Sequence, residues 1–193
     1  SAASDVYKRQ YHNKEGVLME LRFLDFLQTI HTPLLDKILA FITSLGNAGI
    51  IWIVLAVVLL ILPKTRKTGI IVAAALLMDL ILCNLILKNL VARVRPYDVN
   101  TAIAILIKKP LDFSFPSGHT AASFAAMTAL FLAKMKKAWI AALVLAVLIA
   151  FSRLYFYVHY PTDVLGGAVV GILSGIIGYT IVEKIDKCRK VAR

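Results

Sequence analysis

Apolar positions in this chain gather into long runs, and the polar residues collect between them. Ala48–Leu62 is apolar and ends at Pro63, Thr68–Leu87 is interrupted only by Asp79 and Asn84, and Val164–Val182 forms a third such run. A bilayer core takes roughly 20 helical residues at about 1.5 Å each, so these runs predict membrane-spanning helices. Thr120–Ala133 and Ala138–Phe151 are shorter, and their polar flanks, Pro116–His119 and Ser152–His159, must complete the span. Polar groups at membrane depth are costly and usually line an interior site. The places where these two helices stop being apolar are therefore the first pointers to function.

Met19–Leu45 has a different pattern. Its apolar residues alternate with Arg22, Asp25, His31, Asp36 and Lys37, and Pro33 interrupts it. That predicts two amphipathic helices at the interface or under the bundle. The expected fold is an all-α integral membrane protein, a helical bundle of five transmembrane helices with N-terminal amphipathic helices. A sixth span over Leu34–Leu45 is the alternative. Residues 1–18 read as a polar N-terminal segment, 19–183 as the membrane domain and 184–193 as a basic cytoplasmic tail. Ser1–Gln10 (SAASDVYKRQ) resembles translated sequencing-adapter read-through, which makes Met19 the expected native start.

Composition agrees with the runs. Sixty per cent of the 193 residues are hydrophobic and 17% are charged, with a mean hydropathy of +0.79. A soluble domain of this size has too little interior to hide that surface. Twenty-two Lys and Arg against 11 acids give a net charge of +11. These cations fall between the apolar runs and at the C-terminus, which fits topology signals and anionic headgroups and not nucleic acid. Lys64, Arg66 and Lys67, then Lys134, Lys136 and Lys137, then the C-terminal tail share one face if there are five spans, and the positive-inside rule makes that face cytoplasmic. The long Val91–Phe115 loop on the opposite face is basic too, with Arg93, Arg95, Lys108 and Lys109. Cys83 and Cys188 show neither a disulfide framework nor metal-ligand spacing and are expected to be free thiols. Gly167, Gly171 and Gly175 form a stripe that suits close helix packing within the bundle or, alternatively, a dimer interface.

Three clusters fall on the non-cytoplasmic side. In Lys88–Pro96, seven helical residues rotate about 700°, which would put Lys88 and Arg95 on one face, with the chain turning before Pro96. Alone, two such cations also fit snorkelling anchors. Pro116-Ser117-Gly118-His119 opens an apolar helix, where free amides and the positive dipole end favour an anion and Gly allows close approach. In Ser152–Asp163, His159 and Asp163 are four apart, so the carboxylate can fix the imidazole tautomer or form a plain structural ion pair. Together, Lys88, Arg95 and Arg153 with a helix N-terminus describe a site for a tetrahedral oxyanion, above all phosphate. Two histidines can supply a nucleophile and an acid. No carboxylate cluster is available for Mg²⁺, so chemistry without a metal or other cofactor is expected.

The order and internal spacing of Lys88–Pro96, Pro116–His119 and Ser152–Asp163 resemble the three signature motifs of the type 2 phosphatidic acid phosphatase family, over roughly Met19 to Glu183. The resemblance implies that His159 attacks phosphorus to give a phosphohistidine, with Asp163 orienting the ring. It implies that His119 protonates the departing oxygen and then helps activate water. Lys88, Arg95, Ser117, Gly118 and Arg153 would bind the phosphate oxygens, and such a clamp also accounts for the basic outer loop. The implied substrate is a lipid phosphate or diphosphate in the bilayer, undecaprenyl diphosphate first, followed by phosphatidylglycerophosphate, phosphatidate and diacylglycerol diphosphate. A soluble phosphate ester, a vanadate-dependent haloperoxidase and a transporter are the rivals. Asp79 is expected to make a structural polar contact; Arg93 and Tyr97 stay unassigned.

Overall fold

The structure, a computed structural model, describes residues 14–191; the Ser1–Gln10 segment lies outside the described residues. The described residues form α1 (Lys14–Gln28), α2 (Pro33–Leu45), α3 (Ile50–Ile61), α4 (Arg66–Asp79), a π-helical segment (Leu80–Leu87), α5 (Lys88–Val91), α6 (Pro96–Val99), α7 (Gly118–Leu132), α8 (Lys136–Tyr155) and α9 (Pro161–Val191), with no strand among them. Three stretches are long and apolar enough to cross a membrane: Arg66–Val99, α8 and α9. A fourth crossing results if Pro33–Leu45 and Asn47–Ile61, bent by 47° across Gly46, count as one, and α7 is a shorter apolar helix.

Pro33 separates the two N-terminal helices, as its missing N–H requires. It occupies the first turn of α2, and the Thr32 hydroxyl accepts from the Leu35 N–H at 3.3 Å. α1 does more than lie at the surface, because Leu24 and Leu27 are buried with Leu39, Tyr97, Phe156, Tyr157 and Tyr160 in a cluster at one end of the bundle. The main core joins Trp52, Ala56 and Leu59 of α3, Ile71, Val72 and Ala75 of α4, Ala125, Ala126 and Ala129 of α7, Ile149 of α8 and Val182 of α9. Its small residues let the helices approach closely, the usual device where lipid offers no hydrophobic drive for helix association. The glycine stripe serves this packing: Gly167, Gly171 and Gly175 lie against Ser117 and the Thr120–Thr128 stretch of α7. Ile53, Val57, Leu77, Val144, Val169 and Leu173 remain on the outside, as on a surface solvated by lipid.

α7 and α9 run parallel, away from the histidines, while α4 runs toward them. Lys67 pairs with Glu183 at 2.7 Å and Asp186 at 2.9 Å, tying the start of α4 to the far end of α9. The three basic segments therefore sit at the end opposite the motif residues. α9 continues through the basic segment to Val191 without a break. Cys83 is buried and Cys188 exposed, both free.

One expectation about local geometry needs correction. Lys88 and Arg95 do not share a helical face, because α5 stops at Val91 and Ala92 takes a left-handed conformation (φ 48). Arg95 is extended (φ −77, ψ 154) before Pro96, where helix is sterically disfavoured. The two cations meet because the chain folds back on itself.

Candidate active site

Lys88, Arg95, Gly118, His119, Arg153 and His159 line one cavity of about 500 Å³ at the motif end of the bundle. Four of these side chains are almost fully withdrawn from solvent: Lys88 is 6% exposed, Arg95 3%, Arg153 2% and His159 1%. Burying three cations together is strongly unfavourable unless anions compensate. The cluster is thus a site built for negative charge.

The turn between α8 and α9 places the nucleophile candidate. Phe156–Tyr160 is buried throughout, Tyr157 takes a positive φ of 59, and Val158 N–H donates back to Arg153 O at 3.2 Å. His159 is thereby folded over the end of α8. Its Nε2 faces Arg95 Nη1 at 3.2 Å, and its Nδ1 lies 3.5 Å from Asp163 Oδ2. That second contact is an electrostatic one and too long for a formed hydrogen bond. Burial first, then the charges of Arg95 and Arg153, push the imidazole down to about 3 against the opposing pull of Asp163. These surroundings favour the neutral imidazole at His159.

His119 enters from the first turn of α7, and its Nε2 meets Asn47 Oδ1 at 3.0 Å. Gly46 makes room for it: a Cβ there would lie 2.8 Å from His119 Cδ2. Gly118 plays a similar part, since a Cβ would come within 3.0 Å of Asn84 Oδ1 and 3.7 Å of Lys88 Nζ. Arg153 donates to Thr43 Oγ1 at 2.8 Å, while its Nε is buried with no partner, a donor suited to an oxyanion. Ser117 and Asp163 stand behind the cavity wall, both 0% exposed. Ser117 N–H donates to Asp163 O at 3.0 Å, joining the second motif to the third. The Ser117 hydroxyl makes no helix cap; it accepts from Thr120 Oγ1 at 3.0 Å.

A model of the PAP2 superfamily matches residues 67–187. The chain belongs to the PAP2 superfamily. An undecaprenyl-diphosphatase of Sulfolobus acidocaldarius is 33% identical over 96% of this chain and 91% of the relative. A lipid A 4'-phosphatase of Bacteroides thetaiotaomicron is 30% identical over 86% of this chain and 78% of its own. Among solved structures, a transmembrane PAP2-type phosphatidylglycerolphosphate phosphatase from Bacillus subtilis superposes with a TM-score of 0.70 at 30% identity, covering 93% of this chain and 90% of that one. The protein is a multi-pass membrane phosphatase of the PAP2 superfamily, a lipid phosphate hydrolase.

In this PAP2 phosphatase, residues that no motif marks also contact the motif side chains. Asp112, in the irregular segment before α7, pairs with Lys88 Nζ and with Arg95 Nη2 at 2.6 Å. Burial raises its carboxyl, but the hydrogen bond and charge of Lys88 and then Arg95 outweigh this and hold it at about 2. Asp79 is buried at the cavity wall, yet its Oδ1 has no partner. Among the described residues no hydrogen bond to Asp79 Oδ1 supports the expected structural contact.

Arg93 is the second surprise. It donates to Asp163 Oδ1 at 2.7 Å, Thr162 Oγ1 at 2.6 Å and Glu20 Oε2 at 2.5 Å, and its guanidinium stacks 3.8 Å above the Tyr160 ring. The other oxygen of Asp163 accepts from Ser114 Oγ and from Tyr160 N–H at 2.8 Å. Asp163 is held rigidly, and part of its charge is answered by Arg93 before it reaches His159. Arg93→Met should therefore raise the His159 pKa and shift the acid limb of kcat/KM upward by about one pH unit, while Arg93→Lys keeps the limb near its original place. An unchanged pH profile in Arg93→Met would reduce Arg93 to a structural tie.

Proposed function

We propose that this PAP2 phosphatase hydrolyses a lipid phosphate or diphosphate, undecaprenyl diphosphate first, without a metal and through a phosphohistidine on His159. The observation that carries this reading is the meeting of three buried cations and two imidazoles on one cavity. That cavity continues downward past Ile53, Leu76, Leu77 and Leu80, apolar side chains suited to a lipid tail. The names of the Sulfolobus and Bacteroides relatives favour a polyprenyl diphosphate or another lipid phosphate, and the solved Bacillus relative favours phosphatidylglycerophosphate as the second reading.

In the proposed reaction, His159 keeps its proton on Nδ1 toward Asp163 and attacks phosphorus through the Nε2 lone pair. A P–N bond forms as the P–O bond to the leaving group breaks, and His119, protonated once the bound phosphate offsets the surrounding cations, gives its proton to the departing oxygen. Asn47 holds Nε2 of His119, which leaves Nδ1 to exchange that proton. Water then attacks the phosphohistidine, His119 takes a proton from it, and inorganic phosphate departs with His159 restored. Lys88, Arg95, Arg153 and the Gly118 amide neutralise charge on the non-bridging oxygens, with Ser117 aiding from behind. Phosphoryl transfer asks mainly for such positioning and charge stabilisation.

The proposed topology has five crossings: α2 and α3 as one bent span, Arg66–Val91, α7, α8 and α9. Residues 19–183 would form the phosphatase unit and 184–193 a cytoplasmic tail. The basic segments opposite the site support a non-cytoplasmic catalytic face.

The test is phosphate release by purified protein in detergent with EDTA. The substrates are undecaprenyl diphosphate, phosphatidylglycerophosphate, phosphatidate and a soluble ester, with His159→Ala alongside. Release that survives EDTA, prefers a lipid and is blocked by vanadate is expected. Loss of release in EDTA would overturn the metal-free mechanism, and a preference for the soluble ester would overturn the lipid assignment.

A further inference from the structure

The guanidinium of Arg95 has five N–H donors, and every one is engaged by the protein. Nε donates to Asp112 O at 2.7 Å, Nη1 to Val158 O at 2.6 Å and to His159 Nε2 at 3.2 Å, and Nη2 to Asp112 Oδ1 at 2.6 Å and Phe113 O at 3.2 Å. A phosphate oxygen can be taken up by Arg95 only if one of these partners lets go. Val158 O belongs to a fully buried turn, and Phe113 O and Asp112 O are main-chain acceptors fixed by the fold. His159 Nε2, at 3.2 Å, gives up its one Nη1 contact when it turns to phosphorus, which frees a single N–H and nothing on Lys88. The Asp112 carboxylate is different, because it holds both cations. Its side chain is 52% exposed, it stands on a segment without helix or strand, and it lines the same cavity as His119 and His159.

Its two oxygens are divided between two cations: Oδ2 takes Lys88 and Oδ1 takes Arg95. A phosphate presents two non-bridging oxygens to such a pair in much the same way. Lys88 and Arg95 thus already hold an anion supplied by their own chain.

We infer that Asp112 competes with the substrate phosphate for Lys88 and Arg95 and so determines specificity. This rests on the phosphatase reading of the cavity. A terminal phosphate carrying close to two charges displaces the singly charged carboxylate, whereas a phosphodiester, with one charge and only two free oxygens, gains little over it. Terminal phosphates would enter and the far more abundant diester headgroups of the bilayer would be refused. After hydrolysis the returning carboxylate assists the departure of inorganic phosphate.

The experiment is inhibition of lipid phosphate hydrolysis by inorganic phosphate and by dimethyl phosphate, in wild type and in Asp112→Asn and Asp112→Ser. Two partly exposed ion pairs no longer have to be broken in the variants, so the inhibition constant for inorganic phosphate should fall about tenfold. KM should fall with it, kcat should not rise, and dimethyl phosphate should become a measurable inhibitor. Inhibition constants that stay the same or rise would show that Asp112 positions the cations for phosphate, and the proposal is then wrong. Variants that both fail to fold, judged by thermal melting, would make Asp112 a strut and overturn it equally. If wild type hydrolyses no phosphate substrate, the phosphatase reading itself falls; if wild type is active and the variants bind phosphate no tighter, only the competition does.

Discussion

His159→Ala is expected to lower kcat for lipid phosphate hydrolysis by about 10⁴-fold or more, with protein that melts within a few degrees of wild type. Losses of this size follow removal of a nucleophile that acts as one unit with its partners. No neighbouring imidazole can take over: His119 is tied to Asn47 through Nε2 at 3.0 Å, and the remaining lining is cationic, apolar or carboxylate and amide, with Asp112 already paired to Lys88 and Arg95. His119→Ala should be milder, about 10²- to 10⁴-fold, because it removes an acid; a substrate with a good leaving group should restore most of its first step. Rapid quench with radiolabelled substrate distinguishes the two roles. An acid-labile, base-stable phosphoprotein should accumulate in His119→Ala and be absent from His159→Ala. A His159→Ala enzyme within tenfold of wild type would remove the phosphohistidine from the mechanism.

Gly171→Leu is expected to destabilise the fold by at least about 3 kcal/mol and to abolish recovery of active protein. A Cβ at position 171 would lie well inside van der Waals contact of Ala121 O, 2.9 Å from Phe124 Cβ and 3.0 Å from Ala121 C. Two of these atoms are main chain, so no rotamer change relieves the overlap; α7 and α9 must separate. Separation would pull the start of α7, with Gly118 and His119, away from the Asp163 end of α9. Leu173→Ala, on the exposed outer face, is the control and should melt close to wild type. A Gly171→Leu protein with wild-type melting and activity would mean that the stripe does not set the spacing of these helices.

Some of this was legible without coordinates because its causes are local. A run of apolar residues spans a bilayer whatever its neighbours do, so α4, α8 and α9 could be read from the chain, together with the break at Pro33. Glycine spaced every four residues marks a helix surface that something must approach closely, although not which partner. The three motifs carried their own punctuation, Pro96, Pro116 and Pro161, so the helix ends that bear the site could be placed.

Other features depend on contacts between distant residues. Asn47 reaches His119 across 72 positions, Glu20 reaches Arg93 across 73 and Thr43 reaches Arg153 across 110; nothing in the local pattern around any of them signals such a partner. Asp112 reads as an ordinary loop acid until the chain folds back at Ala92 and brings Lys88 and Arg95 to it. The same fold-back is why a helical-wheel argument failed for those two cations, since periodicity holds only while the helix continues.

By itself the sequence determined the class of protein, the main apolar helices and the residue types able to handle a phosphate, because hydrophobicity, helix length and side-chain chemistry belong to short segments. Only the tertiary structure decided how charge is balanced in the cavity: Arg93 answers Asp163, and Asp112 answers Lys88 and Arg95. Charge balance at a buried site depends on distances in space, and those are settled when the helices pack.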